Sequence, residues 1–185
     1  NINWRDSNAR MNDLNGDGRA EILITEDNIF TVYESAGREG FSPAYKTAQS
    51  FDDEEGPRLL FADTVQTIFL ADMSGDGLTD IVRIRNGAVC YWPNLGYGKF
   101  GSKVSMDNAP VFDSPDAFNP AYLRLVDIDG SCAADVIYLG KNKFTCWQNL
   151  SGNRFSAATL EIDGFPEIHN QSKITVTDLL GTGAA

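Results

Sequence analysis

Asp72, Ser74, Asp76 and Asp80 stand at the first, third, fifth and ninth places of "DMSGDGLTD", with Gly75 and Gly77 between them. Oxygen-bearing side chains at that spacing suit a hard cation such as calcium, which takes six to eight oxygen ligands at about 2.3–2.6 Å. The glycines supply the positive φ that so tight a wrap demands. The same residues allow a second chemistry, in which Asp and Asn side chains cap the backbone N–H groups of a metal-free turn. An EF-hand is excluded: its twelfth place needs a bidentate Glu and holds Arg83, and short β-rich flanks stand where helices should be.

The pattern recurs. "DLNGDGRAE" gives Asp13, Asn15, Asp17 and Glu21, and "DIDGSCAAD" gives Asp127, Asp129, Ser131 and Asp135. "TDLLGTGAA" opens a fourth copy at Asp178 but sets Leu180 and Thr182 where ligands belong. Cys132 replaces the glycine found at Gly18 and Gly77, which marks the third loop as a departure from the pattern. Calcium is expected at the first two loops, less readily at the third, and not at Asp178.

The register runs beyond the loops. Twelve places after Glu21, Asp80 and Asp135 come Tyr33, Trp92 and Trp147, and eight further on come Phe41, Phe100 and Phe155. Internal repetition governs the fold and is read before anything else. The repeat cores are 13–41, 72–100 and 127–155, with a fourth starting at 178, all within one segment, 1–185.

Each core must be positioned by strands. "TIFLAD", "AYLRLVD" and "KITVTD" precede loops; "AEILIT", "TDIVRI" and "ADVIYL" follow them; "IFTVYE", "AVCYWPN" and "KFTCWQN" come third, and a fourth strand is expected to begin at each Phe. Val, Ile, Tyr, Phe and Trp dominate these runs, and Asn- or Gly-containing turns separate them. No stretch carries a sustained helical period with caps. The fold class is therefore all-β: a β-propeller of four-stranded antiparallel blades, with three complete repeats and the start of a fourth. A β-sandwich would not repeat its side chains in register. The chain opens at "NINW" without methionine or signal peptide, as expected of a piece of a longer protein whose remaining blades complete the ring.

A formal net charge of −11 argues against nucleic-acid binding, and no apolar run is long enough to span a bilayer. Cys90, Cys132 and Cys146 form no metal or redox spacing; Cys90 and Cys146 read as core thiols. His169 is the only histidine, so neither a Ser/His/Asp arrangement nor a zinc site can be assembled. The carboxylates repeat blade by blade, whereas an active site occurs once. No catalytic residue is expected. Trp92 and Trp147 could stack on sugars, but their fixed strand register suits blade core better. "FDDEEG" (51–56) reads as a solvated loop between blades.

The loop pattern followed by W-x-N and Phe resembles FG-GAP/VCBS-type repeats of the integrin α-like propeller family. "LADMSGDGLTDIVRIRNGAVCYWPNLGYGKFG" and "LRLVDIDGSCAADVIYLGKNKFTCWQNLSGNRFS" are similar to the propeller of the B component of bacterial insecticidal Tc toxin complexes, of SpvB/TcdB type. That resemblance implies a secreted virulence protein without catalytic activity of its own. It implies docking on a pore-forming A component, a shell shared with the C component, and a central channel that gates toxin passage. The other reading open is a calcium-dependent extracellular adhesion or carbohydrate-binding propeller, integrin α-like or lectin-like. Partner-binding residues are expected in the variable connections 48–66, 107–120 and 163–171, which mix acids with exposed-type aromatics.

Overall fold

A computed structural model describes residues 2–63, 67–141, 143–163, 170–180 and 184. The protein is all-β, and its only helical pieces among those residues are three single 3₁₀ turns. The first sheet takes β1 (Ala9–Asn12), β2 (Glu21–Glu26), β3 (Ile29–Tyr33) and β4 (Tyr45–Ala48) in spatial order 1-2-3-4. The second repeats that order with β5 (Ile68–Ala71), β6 (Asp80–Arg85), β7 (Ala88–Trp92) and β8 (Val104–Ser105). The third is built from β9 (Leu123–Val126), β10 (Asp135–Leu139), β11 (Phe144–Trp147) and, after the small ribbon β12 (Asn149–Leu150) and β13 (Arg154–Phe155), β14 (Leu160–Ile162). Adjacent strands in the first and third sheets are antiparallel, with Ile22 opposite Tyr33 and Val136 opposite Trp147. These are propeller-type blades, and no sheet closes on itself.

The second strand of each sheet is its most buried, which explains why "EILIT", "DIVRI" and "DVIYL" lack a polar face. A strand covered on both sides reads as a continuous apolar run. The chain divides into two compact units: Asn1–Leu70 with Gly77–Arg83 and Cys90–Val104, and Ala71–Asp76 with Ile84–Val89 and Ser105–Ala185. The core of the first gathers Leu14, Leu23, Phe30, Val32, Ile81 and Trp92, with Tyr45, Cys90 and Phe100 against it. The second unit has Ile137, Leu139 and Cys146 at its centre, flanked by Tyr122, Val126, Phe144 and Val176.

Four expectations need correction. The repeat Phe does not start the fourth strand: Phe41 and Phe100 form single bridges to Ser35 and Asn94, and Phe155 sits in the ribbon opposite Asn149. The strand starts later, at Tyr45, Val104 and Leu160. "KITVTD" is not a strand: among the described residues no strand pairs with it, and Ile174 and Val176 pack on the apolar core instead. "FDDEEG" is not a freely solvated loop. Asp53 receives both Nη atoms of Arg83 at 3.0 and 3.1 Å, its carbonyl accepts the Trp92 indole N–H at 2.8 Å, and Lys103 bonds Glu54. The Arg83 guanidinium also lies 4.6 Å from the Trp92 ring centre, a stacking that suits its planar charge. In the connection 107–120, Phe112 and Phe118 do not face solvent as expected; they stack at 5.6 Å, and Phe112 meets Tyr138 and the edge of Trp147. Residues 64–66 and 164–169, which include His169, lie outside the described residues.

Candidate functional site

The three acidic loops share one backbone. The fourth-place glycines Gly16, Gly75 and Gly130 have φ of 77°, 80° and 78°, and the sixth-place residues Gly18, Gly77 and Cys132 have 81°, 85° and 72°. Cys132 thus keeps the conformation of the glycine it replaces, against the steric cost that a Cβ adds in the left-handed region. The third loop departs in chemistry, not in shape.

First-place carboxylates organise each turn. Asp13, Asp72 and Asp127 each accept the N–H of the fourth-place glycine at 2.7 Å. The other Asp13 oxygen accepts from Gly18 N at 2.8 Å, and the other Asp127 oxygen accepts from Cys132 N at the same distance. At the third place Asn15 caps Asp17 N and Asp129 caps Ser131 N, while Asp17 at the fifth caps Arg19 N. Ser74 Oγ contacts Asp72 at 3.4 Å. The turn-capping chemistry allowed by the sequence is formed throughout.

The ninth-place acids behave differently. Glu21, Asp80 and Asp135 are no more than 1 % exposed. Asp80 Oδ1 accepts from Asn94 N at 2.8 Å, and Asp135 Oδ1 accepts from Asn149 N at 2.7 Å. The second Asp135 oxygen takes Ile128 N at 3.0 Å, and Glu21 Oε2 takes Leu14 N at 2.8 Å. Burial pushes the Asp135 carboxyl above its ordinary value; the two N–H donors oppose that shift, and the Asp129 and Asp127 charges add to it.

The asparagines that meet these acids were visible in the sequence only as the N of W-x-N. The Asn94 amide donates to Leu14 O at 2.8 Å and Thr79 O at 3.0 Å, while its oxygen accepts from Gly96 N. Asn149 likewise donates to Met73 O at 2.8 Å and Ala134 O at 3.1 Å, and accepts from Gly152 N. Each is a buried staple from one repeat to the second residue of the preceding loop. A side chain that satisfies three buried backbone groups holds the local geometry, and its loss leaves all three unpaired. Ser35 stands at this place in the first repeat and bonds only Gly37 N, among the described residues.

Two observations bear on whether the loops suit a cation. Carboxylate oxygens of Asp127, Asp129 and Asp135 lie within 4.8 Å of one another. In the first loop Glu21 Oε1 is buried without a hydrogen-bond partner among the described residues. Both fit an oxygen-seeking cation. Of the fourth copy, Asp178 caps Leu180 N, and Gly181 to Gly183 lie outside the described residues. Trp92 is fully buried with its N–H engaged, so it is core, as its register suggested. No helix of the described residues is long and apolar enough to cross a membrane.

Residues 13–82 match the family model of the FG-GAP-like repeat. Among solved structures, the chain is similar to one chain of the Photorhabdus luminescens Tc holotoxin pore, at 29% identity with a TM-score of 0.73. That likeness covers 90% of this chain and 7% of the other. The fold also matches a chain of the TcdB2–TccC3 complex (16% identity, TM-score 0.53, 86% of this chain, 12% of that one). It matches an Agrocybe aegerita lectin whose structure concerns recognition of non-reducing terminal N-acetylglucosamine (21%, 0.59, 85% and 38%). No curated protein matches. Residues 13–82 are thus similar to an FG-GAP-like repeat, and the chain resembles a segment of the Tc holotoxin, spanning a small part of the holotoxin chain it matches.

Proposed function

We propose that this chain is a non-catalytic propeller segment of a secreted Tc-type toxin component, acting as scaffold and as docking module for a pore-forming A component. It assembles with the remaining blades of the same protein and with a C component, and the completed channel gates toxin passage. The observation that carries this reading is the likeness to the Tc holotoxin pore over nine-tenths of the chain. The use of the repeated acids supports it: they cap turns and anchor asparagine staples, as scaffold residues do, and do not converge on one reacting centre. The carbohydrate-binding alternative loses one of its two aromatic anchors, because Trp92 is fully buried and cannot offer a face to a sugar, while Trp147 is half-buried with Phe112 against it.

The docking surface lies in the variable connections. Phe51 is 88% exposed at the head of a loop that Arg83, Trp92 and Lys103 hold in place, and Val111 is 72% exposed in the next connection. An apolar anchor on a rigid loop with charged neighbours is the usual anatomy of a protein-binding hot spot. Replacing residues 50–56 or 109–114 with Gly/Ser linkers in the protein that carries this chain should weaken binding to an A subunit at least tenfold. Unchanged affinity for both replacements overturns the reading.

Calcium is the accompanying proposal. Asp127, Asp129, Ser131 and Asp135 would hold one ion, Asp13, Asn15, Asp17 and Glu21 another, and Asp72, Ser74, Asp76 and Asp80 a third. Its role would be to neutralise crowded carboxylates, with Kd of about 10⁻⁴–10⁻³ M as in extracellular modules. Millimolar calcium should then raise the melting temperature and chelator reverse it; indifference to both removes the metal.

A further inference from the structure

We infer that the third acidic loop is a socket for a further sheet of this same repeat, and that the incoming sheet must carry the W-x-N asparagine. The inference rests on the reading that other blades accompany this chain. Its basis is a contact rule found twice in the molecule. At the first loop, Leu14 O accepts the Asn94 amide at 2.8 Å, and the open side of Gly16 faces Leu78 Cδ2 at 3.3 Å. At the second, Met73 O accepts the Asn149 amide at 2.8 Å, Asp72 O accepts Ala134 N at 2.7 Å, and Gly75 faces Ala133 at 3.7 Å. Each loop therefore offers a second-place carbonyl and a fourth-place glycine to the sheet that follows it.

The third loop presents the same groups. Neither Ile128 O nor Asp127 O accepts a hydrogen bond among the described residues, and no described atom comes within 4 Å of the open side of Gly130. Beside them lies a cleft of about 500 Å³ lined by Ile128, Ile137, Phe144, Leu160, Ile162 and Val176. Leu160 pairs with Cys146 as Tyr45 pairs with Val32, yet Tyr45 packs into an apolar core and Leu160 is 57% exposed. Apolar surface of this kind beside acceptors with no donor among the described residues calls for an occupant with both an apolar face and an amide donor. The repeat supplies both. A second copy of this chain does not qualify, because its first sheet brings Ser35, a shorter side chain without an amide, to the asparagine position.

The test extends the chain from Asp178 with a copy of its own residues 72–126. Docking should raise Tm by about 5 °C or more and shield Leu160 from hydroxyl-radical oxidation. Asn94→Ala made only in the appended copy should abolish both effects. The inference is overturned if that substitution changes nothing, or if the unextended chain gains the same protection by dimerising in sedimentation. Should the extended chain misfold, footprinting of the protein that carries this chain decides. Leu160 and Ile162 must react there at least several-fold more slowly than in the 185-residue chain, and equal reactivity overturns the socket. Loss of A-subunit binding with that protection intact would remove the docking function and leave the socket standing.

Discussion

Replacing Asn149 with alanine should cost this fold about 4 kcal/mol. The side chain is 3% exposed. Its amide serves Met73 O and Ala134 O, and its oxygen serves Gly152 N. Alanine cannot serve any of the three, and a buried polar group left unsatisfied costs about 1–3 kcal/mol. Three such groups sum to about 3–9 kcal/mol, and relaxation with release of side-chain entropy brings the total into the lower part of that span. Asn149→Asp is the sharper variant. It keeps the acceptor for Gly152 N but turns an oxygen toward two carbonyls, so it should cost at least as much at neutral pH and recover in part as acid protonates it. Urea denaturation followed by tryptophan fluorescence gives both values from the midpoint shift. Asn153→Ala, whose exposed amide reaches only Ser151 O among the described residues, is the control and should change stability by less than about 0.5 kcal/mol. A loss below about 1 kcal/mol for both Asn149 variants would refute the staple as a stabilising element.

Other expectations follow from the loops and the sheets. Cys132→Gly should raise Tm by about 2–4 °C, since relief of about 1–2 kcal/mol of left-handed strain exceeds the extra backbone entropy of glycine; a lower Tm contradicts this. Gly98→Ala should destabilise by about 2–3 kcal/mol in the same urea assay, because a Cβ there would lie 2.7 Å from Val32 Cγ2 at a φ of 65°; a neutral result would show that the two segments can part. The Asp135 carboxyl is pushed up by burial, so the folded state holds its proton more tightly than the unfolded chain. Without calcium the wild type should therefore lose stability relative to Asp135→Asn as pH rises from the ordinary 3.8 through the raised folded value. Calcium beside the carboxylate should flatten that slope, and an identical slope with and without the ion would separate Asp135 from any metal.

Much of this architecture could be read from spacing alone. The recurrence of Asp13, Asp72 and Asp127 ahead of Phe41, Phe100 and Phe155 places three blades, and apolar runs without alternation mark their central strands. Local chemistry was legible too, since Asp and Asn in Gly-rich turns cap N–H groups whatever surrounds them. What lay hidden depends on partners distant in sequence. Asn94 reaches Leu14 and Asn149 reaches Met73, each from the following repeat, so W-x-N showed its register but not its purpose. Asp53 appeared solvated because its partner Arg83 lies thirty residues on. Cys132 read as a loop defect because sequence shows the side chain and not the φ it adopts. The aromatics of the 107–120 connection appeared exposed because its stacking partner Tyr138 belongs to a later strand.

Whether this segment docks on a toxin pore is decided by binding of the protein that carries it to a pore-forming Tc A subunit. Interferometry on immobilised A subunit, with a glycan array read in parallel, would separate docking from sugar capture. A stable, saturable complex with the A subunit and no glycan signal above background is expected. Absence of that complex, or glycan capture by this segment, contradicts that expectation.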